Sequence, residues 1–312
     1  MRILITGFAG FVGSHLTETL VKAGYDVYGL DDFSSGNIWK VREILDYQNF
    51  KYKRGDIRDK NLVYDMMRDM DCVFHLAAQI HVDKSYVEPE LTYDVNVRGT
   101  QNILEAAKWY DVRVIYASSS EVYGSAMDGP IDEHHELNAP HPYGASKIAA
   151  DRMCYAYAKT FSMNIRIMRF FNIFGPRQAD EGYGGVISKW IRLMMAGKPA
   201  MIYGEGKATR DYTYIDDAIR AYLAAFEKPV NPDNFVINIG TGKEVSIKEI
   251  ALDYLPANGL EWRKPVYVEP RIGEVERLIC NNALAKKVLG WEPETSFSEG
   301  IGRLVEWYKQ GH

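Results

Sequence analysis

The chain is predicted to be an α/β protein: a doubly wound parallel sheet with helices on both faces, followed by a smaller mixed α/β region. Two features of its 312 residues predict this. Short apolar runs alternate with longer amphipathic ones through the first half, and beyond about residue 172 the alternation gives way to an irregular stretch richer in Gly, Pro and Tyr. The runs at 2–7 (RILITG), 26–31 (DVYGLD), 72–77 (CVFHLA), 113–118 (RVIYAS) and 165–171 (IRIMRFF) read as strands buried on both faces. Between them, 14–24, 61–70, 96–110 and 143–161 carry helical patterns, and Gly24 is placed to stop the first. Such an alternation implies right-handed crossovers between parallel strands. FVINIG (235–240) reads as a further strand returning to the main sheet, and 284–309 as two helices about a Trp-Pro turn. The expected division is a domain over 1–171, joined by the strand near 235–240, and a second domain made mainly of 172–312.

Composition narrows the function. Hydrophobic content of 46% and charged content of 25% are those of an ordinary soluble globular chain. A net charge of −5 with interspersed signs argues against nucleic acid or an anionic membrane as the main partner. No apolar stretch approaches the ~18–20 residues that span a bilayer. Cys72, Cys154 and Cys280 are odd in number and far apart, which suggests neither a disulfide framework nor a zinc site. With an N-terminal apolar run that breaks at glycine too early for a signal peptide, the expectation is a reduced, cytoplasmic protein.

TGFAGFVGSHL sets Gly7, Gly10 and Gly13 between the first strand and the first helix, with Phe11 and Val12 between the last two glycines. Glycine lets backbone approach a pyrophosphate there, and a helix N-terminus offers free N–H groups with partial positive charge. The second strand ends in Asp31, where an acid accepts a bond from an adenosine ribose 2′-OH and repels a 2′-phosphate; Asp32 is the alternative partner. Together these predict a Rossmann-type dinucleotide site that favours NAD. Tyr143 and Lys147, four apart on one helical face, form a candidate acid–base pair, the ammonium lowering the phenol's pKa. His134 and His135 lie in a Pro-rich loop without matched carboxylates and read as structural, so no metal is expected.

The sequence resembles the extended short-chain dehydrogenase/reductases acting on nucleotide sugars. The resemblance runs over nearly the whole chain, through TGFAGFVGSHL, GDIRD (55–59), FHLAA (74–78), SSSEVYG (118–124), YGASK (143–147), RFFNIFGPRQ (169–178), TRDYTYIDD (209–217) and EPRIGEVERL (269–278). It implies that Tyr143 removes a sugar hydroxyl proton while C4 gives hydride to NAD, with Ser119 hydrogen-bonded to that hydroxyl. It also implies that Asp56, Ile57, Ala77, Tyr143 and Lys147 touch the cofactor, and that Asn172, Arg210 and Arg271 hold the nucleotide diphosphate. Arginine suits a phosphate because its guanidinium is permanently charged and binds oxygens in pairs. Tyr203 and the 182–190 run are candidates for further substrate contacts, and a homodimer is expected.

Glu121 decides among the reactions that the resemblance implies. In the dehydratase branch a Glu follows the Ser/Thr by two residues, as Glu121 follows Ser119, and removes the C5 proton once C4 is a ketone. HVDKS (81–85) is similar to the dehydratases' HVDRS. Ser120 departs from the Asp-Glu of the dTDP-glucose dehydratases, but enzymes of the GDP-mannose type and some acting on UDP-sugars also lack that Asp. The expectation is therefore an NAD-dependent nucleotide-sugar 4,6-dehydratase forming a 4-keto-6-deoxy sugar. A 4-epimerase acting on UDP-glucose, UDP-galactose or UDP-glucuronate comes second, and a UDP-glucuronate decarboxylase third. The non-enzyme alternative, a dinucleotide-sensing regulator, is disfavoured by the presence of both Tyr143 and Lys147.

Overall fold

The computed structural model describes residues 1–179, 185–261, 263–270, 273 and 275–311. Seven strands form one parallel sheet: β1 (Arg2–Thr6), β2 (Asp26–Asp31), β3 (Phe50–Arg54), β4 (Cys72–His75), β5 (Arg113–Ser119), β6 (Ile165–Phe170) and β10 (Val236–Ile239). Their order is β10-β6-β5-β4-β1-β2-β3, so the chain reverses direction across the sheet between β1 and β4. Ligands of open α/β sheets bind outside the strand C-termini at such a reversal. The Gly7–Gly13 turn, Asp31, Ala77 and Ser119 all lie at or just beyond that edge.

Helices α1 (Phe11–Lys22), α2 (Lys60–Met67), α3 (Val82–Val87), α4 (Pro89–Tyr93), α5 (Thr100–Tyr110) and α6 (Pro142–Phe161) connect these strands. Gly24, at φ +86°, follows α1 and donates its N–H to Val21, as its placement in the sequence predicts. The helix expected over 96–110 begins earlier. Pro89 starts α4, and a π-helical segment, Asp94–Gly99, carries the chain into α5. Strand β3 was not among the expected strands. Its residues after Phe50 are exposed on the sheet's outer edge, so FKYKR lacks the apolar run that marks a buried strand.

Beyond β6, the three short strands β7 (Asn172–Phe174), β9 (Thr209–Tyr214) and β11 (Glu244–Ser246) form a mixed sheet, and β8 (Met201–Tyr203) pairs with β12 (Val266–Val268). Helix α7 (Val186–Met195) packs with these, whereas α8 (Ile215–Glu227) covers the large sheet. Tyr222 of α8 stacks on Phe170 with ring centroids 4.6 Å apart, and Phe226 tilts onto Phe74 at 5.6 Å. One continuous apolar core therefore runs from α1 and β1 through α8 to the C-terminal helix 297–309. It fixes the small strands over the C-terminal edge of the large sheet.

Candidate active site

The glycine turn is tight for a steric reason. Gly7 sits at φ +75°, and a Cβ there would lie 2.9 Å from the Ala77 nitrogen. At Gly13 a Cβ would fall 2.0 Å from the Gly7 carbonyl oxygen, so helix α1 can start against the turn only if residue 13 has no side chain. Gly10 is the N-cap and supplies no side-chain cap, which leaves the first N–H groups of α1, at Phe11 and Val12, open to an anion. Asp31 is buried, and its two oxygens accept from Ala9 N–H (3.0 Å) and Phe33 N–H (2.8 Å). Burial pushes its carboxyl up, and these two bonds pull it partly back. The acid thus braces the glycine turn against the end of β2, with lone pairs to spare.

Asp32, more exposed, accepts from the Ser34 N–H and hydroxyl. Asp56 is engaged by Arg58 (2.8 and 2.5 Å); burial opposes its ionisation, but the guanidinium holds the carboxyl below its usual range. Ile57 is buried beneath Gly99, and the Ala77 N–H donates to Thr6 Oγ1. An uncapped helix N-terminus, a cradle that side chains would fill and an acid at the second strand fit a dinucleotide.

Ser119 ends β5 and caps the short 3₁₀ turn Ser120–Val122, its hydroxyl accepting the Glu121 N–H at 3.2 Å. The same side chain also interacts with the Tyr143 phenol. Helix α6 carries Tyr143 and begins at Pro142, with His141 as its cap. The Tyr143 N–H donates to Ser85 of α3, docking the HVDKS segment on this helix end. Tyr143 is pushed up to about 12, chiefly by burial; the Ser119 bond pulls it down and the negative Glu121 pushes it further up.

Lys147 lies one turn further along the same helix. Its ammonium donates to the Ala117 carbonyl at 2.6 Å and lies 4.4 Å over the Tyr116 ring, instead of pairing with the Tyr143 phenol. Burial lowers it to about 8. Its position accounts for this: one turn further along α6, its side chain meets the end of β5 and the Ala117 carbonyl there.

A cavity of about 350 Å³ opens beside this cluster, lined by Glu121, His141, Asn172, Lys189, Tyr203 and Arg210 among others. Asn172, at the start of β7, has a buried Oδ1 with no partner among the described residues. Arg210, on β9, donates one bond to the Thr209 carbonyl, and its charge reaches Glu121. Burial alone would raise the Glu121 carboxyl; the His141 bond and the Arg210 charge outweigh it and hold it below its usual value. Glu121 therefore presents an anion to the cavity. Arg271 lies outside the described residues, as do residues 182–184 of the 182–190 run. His134 and His135 are not in the cavity wall; His135 packs edge-on against Tyr123 at 5.7 Å.

Residues 4–304 match the family described as GDP-mannose 4,6-dehydratase. The chain belongs to this family of nucleotide-sugar dehydratases and epimerases, within the extended short-chain dehydrogenases/reductases. Members with different reactions are similar to it. A protein of Methanocaldococcus jannaschii, provisionally named a UDP-glucose 4-epimerase, is 38% identical over 99% of both chains. The UDP-glucose 4-epimerase of Thermotoga maritima, solved with UDP-glucose, is 33% identical, with a TM-score of 0.92 over 99% of both chains. The dTDP-glucose 4,6-dehydratase DesIV of Streptomyces venezuelae, solved with NAD, is 31% identical, with a TM-score of 0.94 over 100% of this chain and 98% of its own.

Two features of this nucleotide-sugar dehydratase/epimerase site escaped the sequence reading. His141 stands between Glu121 and α6, and only its place before Pro-Tyr, where a helix cap belongs, could have drawn notice. Behind the Ser119 turn, Arg169 pairs with Asp151 through two bonds of 2.9 Å and donates to the Tyr123 hydroxyl, which bonds Asn238. Ser118 donates to the same Asp151. These buried groups come from four elements and the turn after β5, so nothing in their spacing links them.

Proposed function

We propose that the chain is an NAD-dependent nucleotide-sugar 4,6-dehydratase. The observation that carries this reading is the Glu121 carboxylate, ionised and opening into the cavity one short turn from the Ser119–Tyr143 pair. Asn172 and Arg210, with Arg271, hold the diphosphate and bring the sugar to that pair. Tyr143 takes the C4 hydroxyl proton, with Ser119 orienting the hydroxyl. NAD, held by the glycine turn and Asp31, supplies the two-electron oxidation at C4, its reversal at C6 and a positive charge that favours the Tyr143 phenolate. The C4 ketone acidifies the C5 proton, which Glu121 removes. The C6 hydroxyl departs as water when Glu121 passes that proton to it, and C5 later regains a proton from solvent. The division at 171/172 belongs to the same proposal, with the cofactor held by the first part and the nucleotide sugar mainly by the second.

A 4-epimerase is the second reading. Its support is that Glu121 is engaged by His141, as a structural acid would be, and that two of the similar proteins above carry that name. A panel of UDP-, dTDP- and GDP-sugars in deuterated water separates the two. A dehydratase gives a product lighter by one water with deuterium at C5, and Glu121→Gln should slow its formation ~10²–10⁴-fold. Unchanged product mass, no C5 label and full activity in Glu121→Gln would leave the epimerase. Loss of carbon dioxide would mark a decarboxylase.

A further inference from the structure

We infer that His141 is a positioning residue: it holds the Glu121 carboxylate toward the sugar while capping the helix that carries Tyr143 and Lys147. The inference rests on reading Glu121 as the C5 base and adds what keeps that base in place.

The two ring nitrogens are assigned by their partners. Nδ1 lies 3.0 Å from the nitrogen of Gly144, the third residue of α6, and accepts its N–H. A neutral imidazole has one acceptor and one donor, so the proton sits on Nε2. Nε2 lies 3.0 Å from Glu121 Oε2 and donates to it. The side chain is 2% exposed and lies nearly parallel to the Tyr143 ring, with centroids 6.0 Å apart and planes 12° apart. Both nitrogens are engaged within the protein, and packing against Tyr143 opposes a flip.

A cap alone does not need histidine. Ser, Thr, Asn or Asp accepts the same N–H from the same position. What histidine adds is a donor on the far side of a rigid ring, reaching across to the β5 turn. Glu121 needs such a fix. Its backbone is pinned by Ser119, but Arg210 also attracts its carboxylate, and a swing toward that guanidinium would carry it away from its present position. With Oε2 held by His141, Oε1 has no partner among the described residues and remains available to the substrate.

His141→Asn keeps a competent cap but is too short to carry a donor across to Glu121, and His141→Ser does the same with another cap. Both should melt near the parent and keep substrate KM within about twofold. Turnover should fall about 10- to 100-fold, the scale of a misplaced catalytic group. Placed on Glu121→Gln, either change should cost nothing more, because the residue acts through that carboxylate. Parental turnover in His141→Asn, an equal fractional loss in both backgrounds, or a turnover loss that tracks a fall in melting temperature in both variants would overturn the inference. The parent's product mass and C5 label report on the dehydratase reading separately. An epimerase showing the non-additive result would sink that reading and leave the His141–Glu121 coupling standing.

Discussion

Lys147 is a cation with almost no water around it. It is 4% exposed, and its value near 8 lies below that of an unfolded lysine. Folding therefore works against its charge. Below about pH 8 the ammonium is charged in both states and the full penalty applies. Between pH 8 and about 10.4 the unfolded chain holds the proton that the folded chain has lost, so stability rises with pH through that window. Lys147→Met should raise stability at pH 7 by on the order of 1–3 kcal/mol, and the gain should disappear by about pH 10. Chemical denaturation at both pH values checks this, and a loss of stability at pH 7 would contradict it. Activity should fall in the same variant, since a group retained against its own burial cost has a use outside stability. The Tyr143–Lys147 spacing was legible in the sequence, but the direction of the ammonium was not, because its acceptor belongs to β5 thirty residues earlier.

Among the elements, the turn from β1 into α1 was the most legible, because its constraint is local: glycines at fixed offsets satisfy one steric demand. Gly13→Ala would force a Cβ to 2.0 Å from the Gly7 carbonyl, with backbone on both sides and nothing flexible to yield. NAD affinity, measured by titration, should drop at least tenfold as the α1 N-terminus is displaced, an effect of about 1.4 kcal/mol or more. Gly24→Ala is the contrast. Nothing lies within 4 Å of a Cβ there, so only the positive φ is penalised, at roughly 1–2 kcal/mol of stability, and NAD binding should be unchanged. If both substitutions weakened NAD equally, the steric account of the turn would fail. The start of α6 was half legible. Pro142 marks an N1 position in any sequence, but the use of its cap as a donor to another element can be seen only once β5 and α6 are side by side.

For the whole molecule, the buried Arg169–Asp151 pair is the cross-link behind the active site. Asp151 is fully buried, and Arg169 is 1% exposed. Through Ser118, Tyr123 and Asn238 the pair joins β5, its following turn, β6, α6 and β10. Asp151→Ala leaves a buried guanidinium without its counter-charge and should cost about 3–5 kcal/mol in urea denaturation. A loss below 1 kcal/mol would mean that water or another acid takes over. The sequence by itself determined the five inner strands and most of the helices between them. It also determined the glycine turn and the helical face shared by Tyr143 and Lys147. Each of these depends on residues within a few positions of one another, where apolar period and steric size act directly. Only the tertiary structure decided that edge strand β3 joins the sheet, that α8 covers it from beyond β6, and that His141 faces Glu121. Those arrangements depend on contacts between distant segments, and no local periodicity encodes which surfaces meet when the core closes.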